Sequence, residues 1–91
     1  MELDSQSRPR LPKGVKLKRD EVRARWTLLA PERIFEIDDT AAAVLKLCDG
    51  ERELNAIVAE LAARYTAPAA VIEKDVVAML ADLKAKRVLE T

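Results

Sequence analysis

Histidine is absent from the 91 residues, and Cys48 is the only cysteine. Zinc sites built from Cys and His, His-ligated haem, Cys/His dyads, Ser-His-Asp triads and intrachain disulfides are excluded together. Glycine occurs only at Gly14 and Gly50, so there is no glycine-rich phosphate cradle. Pro and Gly together come to six residues, too few for a collagen-like or low-complexity chain. No stretch approaches eighteen continuous apolar residues and residues 1–10 contain no apolar h-region, so neither a membrane span nor a signal peptide is expected; the expected address is the cytoplasm. Excess charge is also missing. Sixteen basic residues meet sixteen acidic ones, which removes the global positive field of a nonspecific nucleic-acid binder.

What is present suits a small folded unit. Apolar types make up 49% and charged types 35% of a 10.1 kDa chain, enough for one core and one domain over residues 1–91. The charges are unevenly spread. Residues 8–25 hold eight basic side chains against Asp20 and Glu21, a local balance of +6, whereas residues 26–91 hold eight against twelve acids, a balance of −4. Either the Lys and Arg keep a sheet edge soluble, or this end of the domain faces an acidic partner.

Residues 1–7 are polar and aperiodic, a tail expected to fray. From Gly14 to Arg19 a period of two places Val15 and Leu17 on one face and Lys16 and Lys18 on the other, the pattern of a half-buried strand. Residues 25–30 make a second strand. Pro31 presets the φ of position i+1 in a type I turn over residues 30–33, and residues 34–37 return antiparallel. With Trp26 and Leu28 inward, Phe35 and Ile37 become their inward partners, which leaves Leu29 and Ile34 on the outer face in need of a cover.

The rest reads as helix. Asp38 or Asp39 supplies an N-cap, and Ala41, Val44, Leu45 and Cys48 recur at helical spacing until Gly50 takes the left-handed position past the end. Leu54, Ile57, Val58, Leu61 and Tyr65 form the stripe of a second helix, with Glu60 and Arg64 as an i,i+4 pair. Pro68 belongs to the first turn of a third helix reaching Lys86. There Ile72, Val76, Met79, Leu80 and Leu83 form the core stripe, while Ala70, Val77 and Ala81 widen the apolar surface to one side. Two packing neighbours would account for that width, and so would an open groove floor.

Several segments are shared with one family. Arg8-Pro9-Arg10-Leu11, Gly14-Val15-Lys16-Leu17, Arg25-Trp26, Leu28-Leu29-Ala30-Pro31-Glu32-Arg33, Leu45-Lys46-Leu47-Cys48-Asp49-Gly50, Ile57-Val58 with Leu61 and Tyr65, and Asp75-Val76 with Leu80 and Leu83 resemble the PqqD family of pyrroloquinoline quinone (PQQ) biosynthesis. The resemblance runs over residues 8–90, and the Leu-Leu-Ala-Pro-Glu-Arg run is its most specific element. Glu53 departs from it, standing where such sequences often carry a capping Thr.

The resemblance implies an α+β RiPP recognition element, a winged-helix-like three-stranded antiparallel sheet followed by three helices. It implies a peptide chaperone rather than an enzyme, with no cofactor of its own. Its partners would be the ribosomal precursor peptide PqqA and the radical S-adenosylmethionine enzyme PqqE, to which the iron–sulfur cluster and S-adenosylmethionine belong. The peptide would pair with Arg33, Ile34, Phe35, Glu36 and Ile37 of the third strand and lie along the third helix around Asp75 to Lys84. Ile34, Val77, Leu80 and Ala81 are the candidates for lining its side-chain pockets, with Arg33 and Lys84 placed to meet an acidic peptide residue.

Three rival readings remain at this point. The second and third helices resemble a helix-turn-helix, but the first turns of the third offer one base, Lys74, against Glu73 and Asp75, a poor recognition surface for DNA. Enzymatic use of Cys48 lacks an activating His, and its spacing suits a small core hydrophobe. An open strand edge would also permit a homodimer by strand or segment exchange.

Overall fold

The computed structural model describes residues 3–91; Met1 and Glu2, the start of the expected tail, lie outside them. Three strands come first, β1 (Lys16–Asp20), β2 (Arg25–Ala30) and β3 (Arg33–Ile37), then three helices, α1 (Asp39–Lys46), α2 (Leu54–Tyr65) and α3 (Ala69–Ala85). The sheet is antiparallel in the order β1-β2-β3. Trp26 opposes Ile37, and Leu28, fully buried, opposes Phe35, which is the register that the alternation of apolar side chains dictates. The inner face packs on a core of Val44, Leu45, Leu54, Ile57, Leu61, Val76, Leu80, Leu83 and Val88. Lys46 of α1 and Arg19 of β1 both lie over the Trp26 ring, at 4.3 and 5.6 Å from its centroid.

Four local features differ from the sequence reading. Glu32 has φ +62°, so position i+2 of the Pro31-Glu32 turn is left-handed, which a type I turn forbids and a type II turn requires. Helix α1 starts as expected, with Asp38 Oδ1 accepting the Ala41 N–H at 2.7 Å, but it ends at Lys46 with Leu47 as C-cap. Gly50 therefore does not terminate a helix. Its φ of +80° serves a close approach: its N–H donates to the Pro9 carbonyl, and an added Cβ would meet the Arg10 side chain at 3.3 Å. Pro68 is the N-cap of α3 rather than part of its first turn. Glu60 faces Arg52, Oε2 to Nε 3.9 Å, instead of Arg64.

Residues 3–7 of the segment read as a fraying tail are built into the bundle. Glu53, the N-cap of α2, makes no side-chain capping bond. The Leu54 and Asn55 N–H groups instead donate to the carbonyls of Ser7 and Ser5, at 2.7 and 3.0 Å, while Leu3 packs on the core. Two of the orphan donors of the helix start are thereby satisfied by backbone, which a pattern search for capping side chains does not reveal. Arg10 extends the strap, exchanging backbone hydrogen bonds with Glu90 at 2.8 and 3.0 Å.

Candidate functional site

Two strands, β1 and β3, have an edge with no strand partner among the described residues. Lys16 and Lys18 stand on β1, a common way of keeping an edge from pairing. Strand β3, Arg-Ile-Phe-Glu-Ile, is more apolar. Its register fixes what the edge offers. Ala30 and Arg33 close a two-residue loop and so form a hydrogen-bonded pair, as do Leu28 with Phe35 and Trp26 with Ile37. The N–H and C=O groups of Arg33, Phe35 and Ile37 turn to β2, and those of Ile34 and Glu36 turn outward. Four backbone groups are open.

The side chains alternate as well. Phe35 and Ile37 are half-buried against the core, whereas Ile34, opposite Leu29, is 72% exposed on the outer face. Those two apolar side chains lie in a shallow outer concavity with Thr27, Glu36 and Arg25, and Arg25 Nη1 pairs with Glu36 Oε1 at 3.0 Å. The guanidinium of Arg33 lies 5.4 Å from the centre of the Phe35 ring, and Lys86 Nζ approaches the same ring to 5.9 Å from the end of α3. The beginning of β3 therefore faces the end of α3.

Beyond the end of β3, a cleft of about 80 Å³ opens between the helices. Thr40 and Val44 of α1, Leu61 and Tyr65 of α2, and Ile72, Asp75, Val76 and Met79 of α3 line it. Tyr65, assigned to the α2 core stripe by spacing, is 46% exposed here. Of the α3 residues singled out in the sequence, Asp75 alone borders this cleft. Leu80 is fully buried and offers no surface to a ligand. Val77 is half-buried on the opposite flank, in a depression with Ala70, Glu73, Lys74 and Ala78, and Ala81 is exposed. Lys84 Nζ donates to Thr91 Oγ1 at 3.0 Å, and Lys86 is the base that stands beside Phe35.

The flank of α3 expected to form the groove floor, with Ala70 and Val77, and the helix-lined cleft therefore lie on opposite sides of the helix. Ile72 and Met79, expected in the core stripe, pack on the core and, being half-buried, also border the cleft. The available signal was Asp75, the only charge on that border between them. Cys48 is buried, its Sγ 3.3 Å from the Val44 carbonyl oxygen, and burial, helped by the charge of Asp49, pushes its thiol up to about 12. Such a thiol is no nucleophile at neutral pH.

A three-stranded antiparallel sheet followed by three helices is the architecture of a RiPP recognition element. The solution structure of a PqqD truncation of Methylobacterium extorquens PqqCD, described as a functional and stand-alone element of this kind, matches with a TM-score of 0.86 and 50% identity, covering 98% of this chain and 95% of that one. A PqqA binding protein of Rhodopseudomonas palustris is 55% identical over 80 residues, 88% of this chain and 78% of the relative. A bifunctional coenzyme PQQ synthesis protein C/D of Methylorubrum extorquens is 55% identical over 82 residues, which are 90% of this chain and 22% of that protein. Residues 25–89 match the family described as Coenzyme PQQ synthesis protein D (PqqD). The chain belongs to the PqqD family.

Proposed function

We propose that the protein is a peptide chaperone of PQQ biosynthesis that binds the precursor peptide PqqA as an added strand on β3 and presents it to the radical S-adenosylmethionine enzyme PqqE. The observation that carries this reading is the open edge of Ile34 and Glu36, with an apolar cleft between the helices past the end of the strand, in a chain whose relatives are named as PqqA binding proteins. Four backbone hydrogen bonds at about 0.5 to 1.5 kcal/mol each contribute ~2 to 6 kcal/mol. A micromolar complex needs about 8 kcal/mol net of ordering losses, so side-chain burial in the cleft must supply the remainder. One or two aliphatic anchors at roughly 1.5 to 3 kcal/mol each are of the right size.

On this reading the domain is an adaptor without chemistry of its own, consistent with the sharing of one chain with protein C in the Methylorubrum relative. The α2–α3 pair is poorly suited to DNA, since Glu73 and Asp75 accompany Lys74 on the exposed start of α3. Titration of labelled protein with the precursor peptide tests the reading. Amide shifts concentrated on β3 and on the stretch of α3 from Ile72 to Met79 support it; shifts confined elsewhere refute it.

A further inference from the structure

The surface that runs from the cleft past the end of β3 back to the start of that strand carries opposite charges at its two ends. At the end where β3 passes into α1, Asp75 borders the cleft with no hydrogen bond or ion pair among the described residues, and Asp38 and Asp39 stand nearby in the chain. Asp38 caps α1, and Asp39 is offset only by Arg19 at 3.8 Å. At the other end the Phe35 ring is flanked by Arg33 and Lys86. Asp82 is held there by Lys86 at 2.9 Å, and Glu32 sits in the adjoining turn; Arg33 has no acidic partner among the described residues.

An extended guest covering β3 from Ile37 back to Arg33 spans about four residues, roughly 14 Å. That exceeds the ~8 Å screening length at physiological salt, so the two ends act on the guest separately. Antiparallel pairing is the commoner and slightly more stable mode, and it puts the N-terminal part of the guest at the Asp75 end. Building on the strand-addition reading, we infer that the groove selects antiparallel peptides with a cationic side chain before an aliphatic anchor and an acidic one after it. The anchor packs beside Met79 at the near wall of the cleft, the cation meets Asp75, and the acid meets Arg33. A cleft of about 80 Å³ has room for one small aliphatic side chain.

The test compares two short synthetic peptides of identical composition centred on Leu. One carries Lys two positions before it and Glu two positions after, so that all three share a strand face; the other carries the charges reversed. The Lys-first peptide is expected to bind about ten-fold more tightly at low salt, with the preference shrinking as salt is added. The double variant Asp75→Lys with Arg33→Glu, both exposed positions, is expected to invert the order, and a spin label at the peptide N-terminus to broaden the Thr40 and Asp75 amides before that of Arg33. Equal affinities, the opposite preference, or an order unmoved by the double variant would overturn the inference while leaving strand addition standing. Absence of any Ile34 or Glu36 response to the precursor peptide itself would remove the reading beneath it.

Discussion

The Leu54 N–H donates to the Ser7 carbonyl at 2.7 Å, so the start of α2 is capped by a segment that lies far from it in the chain. Deleting residues 1–7 removes this bond and the one from Asn55, together with the packing of Leu3. The expected loss is about 1 to 3 kcal/mol, at ~0.5 to 1.5 kcal/mol per hydrogen bond, read as a lower urea midpoint. In the truncated chain Glu53→Ser should restore part of it, about 1 kcal/mol, because a side-chain cap then has a vacant task. An unchanged midpoint would show that the strap is dispensable.

The two flanks of α3 should separate in mutagenesis. Met79→Ala opens the wall of the cleft and is expected to weaken binding of the precursor peptide several-fold, whereas Val77→Ala on the far flank leaves affinity unchanged. Leu80→Ala should cost about 2 to 5 kcal/mol of stability, the range for a fully buried leucine. Calorimetric titration alongside urea unfolding distinguishes the three. Equal affinity losses at residues 77 and 79 would contradict the placement of the groove.

Strands and helices were legible because their cues are local: alternation in β1 to β3, capping Asp38, and the buried stripe of Leu54, Ile57, Val58 and Leu61. The inward pairing of Trp26 and Leu28 with Ile37 and Phe35 followed from period and loop length alone. The flank of α3 was not legible, since a helical wheel ranks residues by angle and says nothing about which neighbour occupies each side. Ile72 and Val77 both border the buried stripe, and only the position of α1 makes one of them a groove wall. The cap of α2 was hidden for a related reason: backbone acceptors from Ser5 and Ser7 carry no side-chain signature.

Cys48 should resist thiol reagents in the folded protein and react on unfolding. Its pKa near 12 when folded, against about 8.5 in an unfolded chain, means that the folded state binds the extra proton between those values. Stability therefore falls as pH rises above the unfolded value, by up to ~1.4 kcal/mol per pH unit from this group. Cys48→Ala should flatten that slope in urea titrations near pH 10; an identical slope would mean that the thiol is not shielded.

Asp49 titrates in the opposite sense. Hydrogen bonds from the Arg52 and Glu51 backbone N–H groups, with the Arg52 charge, hold its carboxyl below the usual range. Its contribution is present above the unfolded value near 3.9 and disappears as pH falls through the lower folded value. Carboxyl NMR titration is expected to place Asp49 below the usual aspartate range, and Asp49→Ala to lessen the acid sensitivity of the fold.

Hydrogen exchange along β3 tests the central claim most directly. In the free protein the Arg33, Phe35 and Ile37 amides are bonded to β2 and should exchange slowly, while those of Ile34 and Glu36 exchange fast. Addition of the precursor peptide should slow Ile34 and Glu36 selectively and turn the alternating profile into uniform protection. Fast exchange at both residues in the saturated complex would contradict strand addition on this edge.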